Sequence, residues 1–515
     1  MEFSHPRDVA ALHPDKPALV LVGETDRSLT YLALVERSDR AARLFRSLGV
    51  QPGQTVAFLL ENSIHLPELC WAAKNSGLHY VCISNQLNAA DVGYILGNSE
   101  AQVLVTSRRM LAVVRDLAGN SLPVLLVDGV ADGLLNYEAL LMAEAPLPLE
   151  DQSRGASMLY SSGTTGQPKG VRVTLEGASP ALAPRRQKML VEEFGFGGDM
   201  VFANPAPLYH AAPLRMMMAV HRLGGTAICF DRFDPESTLS AIAHYRATHG
   251  FFVPTMFIRM LRLPDTERAA HDISSMRVAI HGAAPCPPEI KRQMIRWWGP
   301  VIYEIYGGTE GMGHTMITPS DWLAHPGSVG RPPAGCRLEI RSEGGEPLPP
   351  GETGLVYFDN GSRFSYFKDV GKTSEARSSD GYATFGDVGH VDADGFLYLT
   401  DRKSHMIISG GVNIYPQEAE NVLIAHPAVA DVAVIGIPDE EYGEQVKAIV
   451  EPIEMPSDPV ALEAELLAHC RENLSGLKCP RSVDFIRSLP RNDLGKVAKH
   501  ELRKPYWAGR ETLIL

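Results

Sequence analysis

Tyr160–Gly170 reads YSSGTTGQPKG, and what this stretch does decides what the rest of the chain must be. Its eleven residues hold three glycines, two serines, two threonines and one cation, Lys169. Glycine lets backbone N–H groups approach an anion and turn through positive φ, while hydroxyls add donors or a magnesium contact, so the stretch suits a polyphosphate. It is not the common P-loop, which needs G-x-x-x-x-G-K-[ST]. Pro168 stands before Lys169 and Gly170 after it, so the usual lysine and hydroxyl have no place. As bare composition, a Ser/Gly/Thr run is more often an ordinary flexible turn. The remainder of the chain has to decide between the two.

With 515 residues, 45% hydrophobic and 21% charged, the chain has the composition of a soluble globular protein. That length predicts two or more domains around large cores. A net charge of −13 argues against broad nucleic-acid or anionic-membrane surfaces, which need clustered Lys and Arg, though local basic sites for ATP or coenzyme A stay open. The start, MEFSHPRDVAALHPDKPALV, lacks the basic and apolar segments of a secretory signal, and no apolar run approaches the ~20 residues of a membrane span. Seven cysteines at 70, 82, 229, 286, 336, 470 and 479 form no C-x-x-C pair. Reduced thiols in the cytoplasm are the expectation, with neither a zinc site nor a disulfide framework.

Between Leu29 and Gly49 the apolar residues Leu34, Ala41, Phe45 and Leu48 recur at helical spacing, and Gly49 reads as the stop. Val56–Leu60, Val103–Val105 and Val124–Val127 read as buried strands, and strands alternating with helices predict an α/β fold with a largely parallel sheet. Ligands collect at the carboxyl ends of such strands, and Ser157–Tyr160 is a short apolar approach to the glycine-rich stretch. Arg277–Ile280 reads as a strand entering HGAAPCPP, residues 281–288, where small residues would admit a flat ring. Pro427–Val450 alternates strand-like runs around PDEEYGE, and Ala461–Asn473 is helix-like, which together suit a compact α+β module. Asp392 and Asp394, just before Gly395, read as solvated hairpin residues.

YSSGTTGQPKG closely resembles the phosphate-loop signature of the adenylate-forming superfamily, the acyl- and aryl-CoA synthetases and their relatives. Three more stretches resemble that family's motifs in its order: YEIYGGTEG at 303–311, TDRKSHMIISGGVNIYP at 400–416 and LPRNDLGKVAKHEL at 489–502. A weaker match is TFGD at 384–387, where the family usually shows T-G-D and Phe385 stands in the place of its threonine. The resemblance implies a large α/β N-terminal domain with mixed and parallel sheets over 1–401, a hinge at 402–404 centred on Ser404, and a small mobile α+β C-terminal domain over 405–515, with the site between them.

It also implies roles. ATP or AMP would be bound by Ser161, Ser162, Gly163, Thr164, Thr165, Gly166, Lys169, Ala283, Ala284, Pro285, Tyr306, Gly307, Thr309, Asp387, Arg402 and Lys496. Within that set Tyr306 would face adenine and Asp387 would accept the ribose hydroxyls, while Lys496, Glu310, Thr165, Lys169 and His210 would act in catalysis. Thr165 and Glu310 would hold Mg²⁺, and Ser409, Gly410 and Gly411 would line the path of coenzyme A. His210, Met216, Met217, Thr255, Gly282 and Ala283 would line the acyl pocket, which favours a hydrophobic fatty, alicyclic or aromatic acid.

The chemistry expected is an ATP-dependent acid–CoA ligase reaction. Two alternatives remain open: an adenylation enzyme loading a carrier-protein thiol in trans, no carrier domain following Leu515, and a nucleotide-binding regulator without turnover. The residues leave the oligomeric state, a homodimer included, undecided.

Overall fold

The helix read over 29–49 runs from Tyr31 to Ser47, started by Thr30, whose hydroxyl accepts from the Ala33 N–H at 3.2 Å. Its Leu34, Ala41 and Phe45 are buried, and Gly49 takes φ +86°, the left-handed turn that stops the helix one residue past its C-cap. The computed structural model describes residues 3–115, 117, 122–161, 168–175, 177–182, 185–362, 364–402, 405–410, 412–491 and 496–508. The chain forms two compact units, Met1–His281 with Arg363–Thr373, and Gly282–Ser362 with Ser374–Leu515.

In the first unit the strands predicted at Val56–Leu60, Val103–Val105 and Val124–Val127 lie in one all-parallel sheet. Its spatial order is Leu135–Asn136, Val124–Leu126, Ala101–Thr106, Thr55–Leu59, His79–Ile83, Ala156–Ser157. Thr55–Leu59 and His79–Ile83 are buried at every position, as both-face burial requires of continuous apolar runs. A second sheet in this unit runs Val278–Gly282, His249–Phe252, Val201–Asn204, Thr226–Phe230 and Pro17–Val22, all parallel, and closes on the antiparallel strand Arg27–Thr30.

The approach to the glycine-rich stretch differs from the simple strand expected. Ser157 ends the parallel sheet opposite Tyr80, and Leu159–Ser161 then turns to pair antiparallel with Lys169–Arg172, which in turn pairs with Ser365–Tyr366. Met158, fully buried between the two pairings, explains the break: its side chain fills the core while the chain changes partner. The stretch is therefore the connection of a hairpin, not the exit of a parallel strand.

The second unit holds antiparallel sheets. Ile302–Gly307 pairs with His314–Ile317, and a four-stranded meander runs Arg337–Arg341, Gly354–Asp359, Ala383–Val391, Leu397–Arg402. The α+β module is present as expected: Val429–Asp439 and Gly443–Pro452 form a long hairpin, with Ser482–Phe485 added in parallel. Strand alternation explains its two faces. Val432 and Val434 face Leu423, Leu466 and Cys470 of the helices Pro416–Leu423 and Pro459–Asn473, while Ala433 and Ile435 face Leu489 and Leu502 on the other side. At about 25 cal/mol per Å² of apolar surface, each such Leu or Val contributes on the order of 2 kcal/mol when buried. Asp392 is more than a solvated turn residue: it accepts from the Asp394 and Phe396 N–H groups and meets His325 Nδ1 at 3.2 Å.

Candidate functional site

Strand pairing in the second unit builds a polar cradle out of two of the motifs. Asp387 and Arg402 are register partners on adjacent strands, so the guanidinium falls on the carboxylate, Nε donating to Oδ1 at 2.9 Å. Tyr306, near the end of Ile302–Gly307, donates its hydroxyl to the other carboxylate oxygen at 2.6 Å. Asp387 is 7% exposed, so the carboxylate is withdrawn from water and held by two donors. Burial and the adjacent Asp387 raise the Tyr306 phenol well above its ordinary value, so it stays a donor. Burial works against the charge on Arg402, but Asp387 and Tyr306 outweigh it and the guanidinium is held above its ordinary value.

A backbone irregularity aims these groups. Between Leu355 and Tyr357 one residue of the meander faces Phe385, Gly386 and Asp387 on the neighbouring strand. Gly386 takes φ +80° and its N–H bonds to the Thr384 hydroxyl at 2.9 Å. Such a bulge re-aims side chains next to a site. Beyond Tyr306 the chain turns at Gly311, φ +71°, pinned by Asn360 Nδ2 donating to its carbonyl at 2.9 Å. Thr309 donates to Glu310 Oε2 at 3.1 Å across this turn.

Lys496 joins the same cradle from the C-terminal motif. Burial and then the charge of Arg402 push its ammonium down to about 8, while Asp387 and Glu310 pull in the other direction. The described residues on either side of it in the chain are anchored. Arg491 pairs with Val497 across an isolated bridge and holds Asp431 through Nε at 2.6 Å, and Lys499 meets Glu420 at 2.7 Å. Asp401 ties the same region together: it accepts from the Arg402 N–H at 2.6 Å, from Gln417 N–H at 3.2 Å, and meets His405 Nδ1 at 3.2 Å.

Sequence reasoning singled out neither Asp401, Lys499 nor Glu420. Asp401 and Lys499 stand inside the quoted TDRK and LPRNDLGKVAKHEL stretches, whereas Glu420 carried no signal.

In the first unit, Lys169 opens its strand opposite Ser161, so the two ends of the glycine-rich connection are held side by side. The Lys169 ammonium lies 5.5 Å from the Tyr366 ring centroid. Gly170 is tightly packed: a Cβ there would come within 2.6 Å of the Met158 methyl and 2.9 Å of the Tyr160 ring, so those side chains would have to shift. Ser162, Gly163, Thr164, Thr165 and Gly166 lie outside the described residues, as do Gly411 and the expected hinge Ser404.

Of the residues expected at the acyl pocket, His210 stands at the N-cap of Ala211–Leu223 with its ring 4.6 Å from that of Tyr209. Met216 is 9% exposed and Met217 is fully buried on that helix, and Thr255 lies in the first turn of Pro254–Leu261. In the same unit His281 is fully buried with its ring 5.5 Å from Phe257. In the second unit, Gly282 lies against the Ile305 carbonyl, which a Cβ would meet at 2.5 Å, and Ala283 takes φ +69°. A left-handed alanine costs roughly 1–2 kcal/mol and is held only where the surroundings dictate it, which marks 283 as a constrained corner with Ala284 and Pro285 following. Gly410, φ +56°, donates to the Tyr442 carbonyl at 2.8 Å, next to the buried Ser409.

Among the described residues no helix is long and apolar enough to cross a membrane. All seven cysteines are free thiols.

Residues 6–365 match the family model for the AMP-binding enzyme, and residues 418–496 match that for the AMP-binding enzyme C-terminal domain. The chain is 34% identical to a feruloyl-CoA synthase from an Amycolatopsis species over 95% of this chain and 96% of that protein. It is 32% identical to a sulfoacetate–CoA ligase from Cupriavidus necator, over 96% and 95% of the two chains. Among solved structures, ATP-bound MatB from Rhodopseudomonas palustris superposes with a TM-score of 0.83 at 27% identity, covering 98% of this chain and 99% of that one. The order of the four motifs, the clamped aspartate and these likenesses agree: the chain belongs to the adenylate-forming, AMP-binding enzyme family, as an AMP-forming acid–thiol ligase.

Proposed function

We propose that the protein joins a hydrophobic aromatic, alicyclic or fatty acid to coenzyme A in two steps, acid and ATP giving acyl-AMP and pyrophosphate, then acyl-AMP and coenzyme A giving acyl-CoA and AMP. The observation that carries this reading is the Asp387 carboxylate held by Tyr306 and Arg402 with Lys496 beside it. A fixed, buried carboxylate is an acceptor for a ribose diol, and a cation next to it meets the charge of an α-phosphate.

A substrate carboxylate is already a nucleophile, so the protein supplies alignment and charge neutralisation and no covalent intermediate of its own. In this reading a carboxylate oxygen attacks the α-phosphorus, the α–β bridging bond breaks, and its electron pair leaves with pyrophosphate. Lys496 and Lys169 bind the phosphate oxygens, and Tyr306 gives a ring face to adenine. Glu310 is a hard oxygen donor, only partly buried, of the kind Mg²⁺ prefers, and with Thr165 it would hold that ion, which supplies positive charge against the phosphates. In the second step the thiol sulfur of coenzyme A attacks the acyl carbonyl, loses its proton and expels AMP; Ser409, Gly410 and Gly411 are assigned to its path.

The division into a domain over 1–401 and a mobile one over 405–515 rests on the same likeness, the two family models leaving the interval 366–417 for the junction. The seven free thiols accord with a reducing cytoplasm. Support for a hydrophobic acid comes from Met216 and Met217, the buried apolar members of the set assigned to the pocket, and from the aromatic acid in the name of the feruloyl-CoA synthase relative. The test is a panel of aryl, alicyclic and fatty acids, with a sulfonated acid included, assayed for AMP release with and without coenzyme A. AMP release that requires both an apolar acid and coenzyme A supports the reading. Turnover only with a carrier protein, or with none of the acids, would replace it.

A further inference from the structure

The residue that departs from the family pattern, Phe385, has an unassigned job. The bulge at 385–387 turns its ring onto the Gly307–Gly308 backbone: a Cβ added at Gly308 would lie 2.3 Å from Phe385 Cε1 and 2.6 Å from both Cδ1 and Glu310 Oε2. The same ring stands edge-on to Tyr306, centroids 6.0 Å apart at 84°, and packs on Phe358 at 5.8 Å. Phe358 is fully buried and closes the triangle with Tyr306 at 6.0 Å. It is itself seated on a glycine, Gly313, whose Cβ would come within 2.4 Å of it. Three rings seated on two glycines therefore define where the Tyr306 phenol points, and that phenol holds Asp387.

We propose that Phe385 is a positioning residue for the adenosine end of the site, with Gly308 as its seat. Edge-to-face pairs fix ring orientation as well as adding stability, so the ring at 385 holds Tyr306 on the carboxylate before nucleotide arrives. Phe385 and Asp387 leave the same bulge, which couples the two. Gly308 carries no φ in the left-handed range; its lack of a side chain is a matter of space, which is why a change at 385 should compensate for one at 308.

This inference rests on the nucleotide reading above, and its test separates the two. Titration calorimetry measures binding of MgATP and of magnesium tripolyphosphate, which lacks adenosine, to the full chain and to F385A, G308A and the double variant. F385A should weaken MgATP about tenfold and leave tripolyphosphate within about twofold, a split that loss of general structure would not produce. G308A should weaken MgATP by clearly more than F385A does, and F385A on top of it should bring affinity back to the level of F385A alone. Wild-type affinity for MgATP in F385A, parallel loss of both ligands, or a double variant no better than G308A overturns the proposal. Should G308A not fold, the two-ligand comparison on F385A decides by itself. A wild-type chain that binds neither ligand overturns the nucleotide reading, and this inference with it.

Discussion

Replacing Lys496 by alanine should cripple one half of the reaction and spare the other. The lysine is partly buried beside Arg402, and its ammonium is pushed down to about 8. A partly buried cation next to another cation is held at a cost that arriving anionic charge offsets, as it would when the α-phosphate is attacked and pyrophosphate leaves. Removing one such group typically costs ~10² to 10³ in rate, and the withdrawn position puts the expected loss at the upper end of that range. Formation of acyl-AMP from acid and ATP should fall by this factor, while acyl-AMP supplied directly, with coenzyme A, should reach acyl-CoA at close to the wild-type rate.

The pH dependence has a definite sign. Lys496 is charged below about 8 and neutral above it, so kcat/KM for adenylation should fall as pH rises through about 8, and Lys496→Arg should remove that particular fall. The stability link runs the other way. The folded-state value lies below the unfolded 10.5, so the folded protein disfavours this charge at all pH below about 8 and recovers as pH rises from there to 10.5. Lys496→Ala should therefore not lower Tm at neutral pH. Near-normal adenylation, or equal losses in both half-reactions at an unchanged Tm, would refute the reasoning.

Asp387→Asn leaves Arg402 without its carboxylate and should weaken MgATP by roughly 10- to 100-fold, as expected for losing charge-assisted hydrogen bonds, while magnesium tripolyphosphate binds as before; calorimetry reads both. Glu310→Gln should raise the Mg²⁺ concentration needed for half-maximal pyrophosphate release, because a neutral amide is a poor ligand for a hard cation, and an unchanged Mg²⁺ profile would remove Glu310 from that role. Lys291 is fully buried and bonds Glu304 at 2.6 Å, two residues before Tyr306 on the same strand. Lys291→Met should cost about 3–5 kcal/mol in urea unfolding by removing the cation that pairs with that buried carboxylate, and Lys291→Met with Glu304→Leu should recover much of it; a single variant that unfolds at the wild-type urea concentration contradicts this account.

Local pattern made the first unit legible. Continuous apolar runs such as Val56–Leu60 have only one environment that satisfies them, a strand covered on both faces, and the helix ending at Gly49 carried its own stop signal. The change of partner at Met158 was not legible. One buried methionine between two short strands carries no periodicity, and only the packing of the two sheets decides which neighbour each strand takes.

The site was readable in its parts and unreadable in its couplings, and the reason is distance along the chain. Tyr306 and Asp387 are eighty-one residues apart, and their 2.6 Å hydrogen bond follows from a hairpin, a meander and a bulge that meet in space. Motif reasoning names both residues because each sits in a recognisable string. It gives Phe385 no role, since a phenylalanine where a threonine is expected looks like a blemish in the string and only in three dimensions fills the space above Gly308. Lys291 with Glu304 makes the same point from the core side. A Lys in a helix and a Glu in a strand each read as solvated by default, and burial reverses that only because each is the other's counter-charge. Residues that act through another residue leave no mark of their own in a sequence, so the cradle that orients Tyr306 and Asp387 had to be found from contacts.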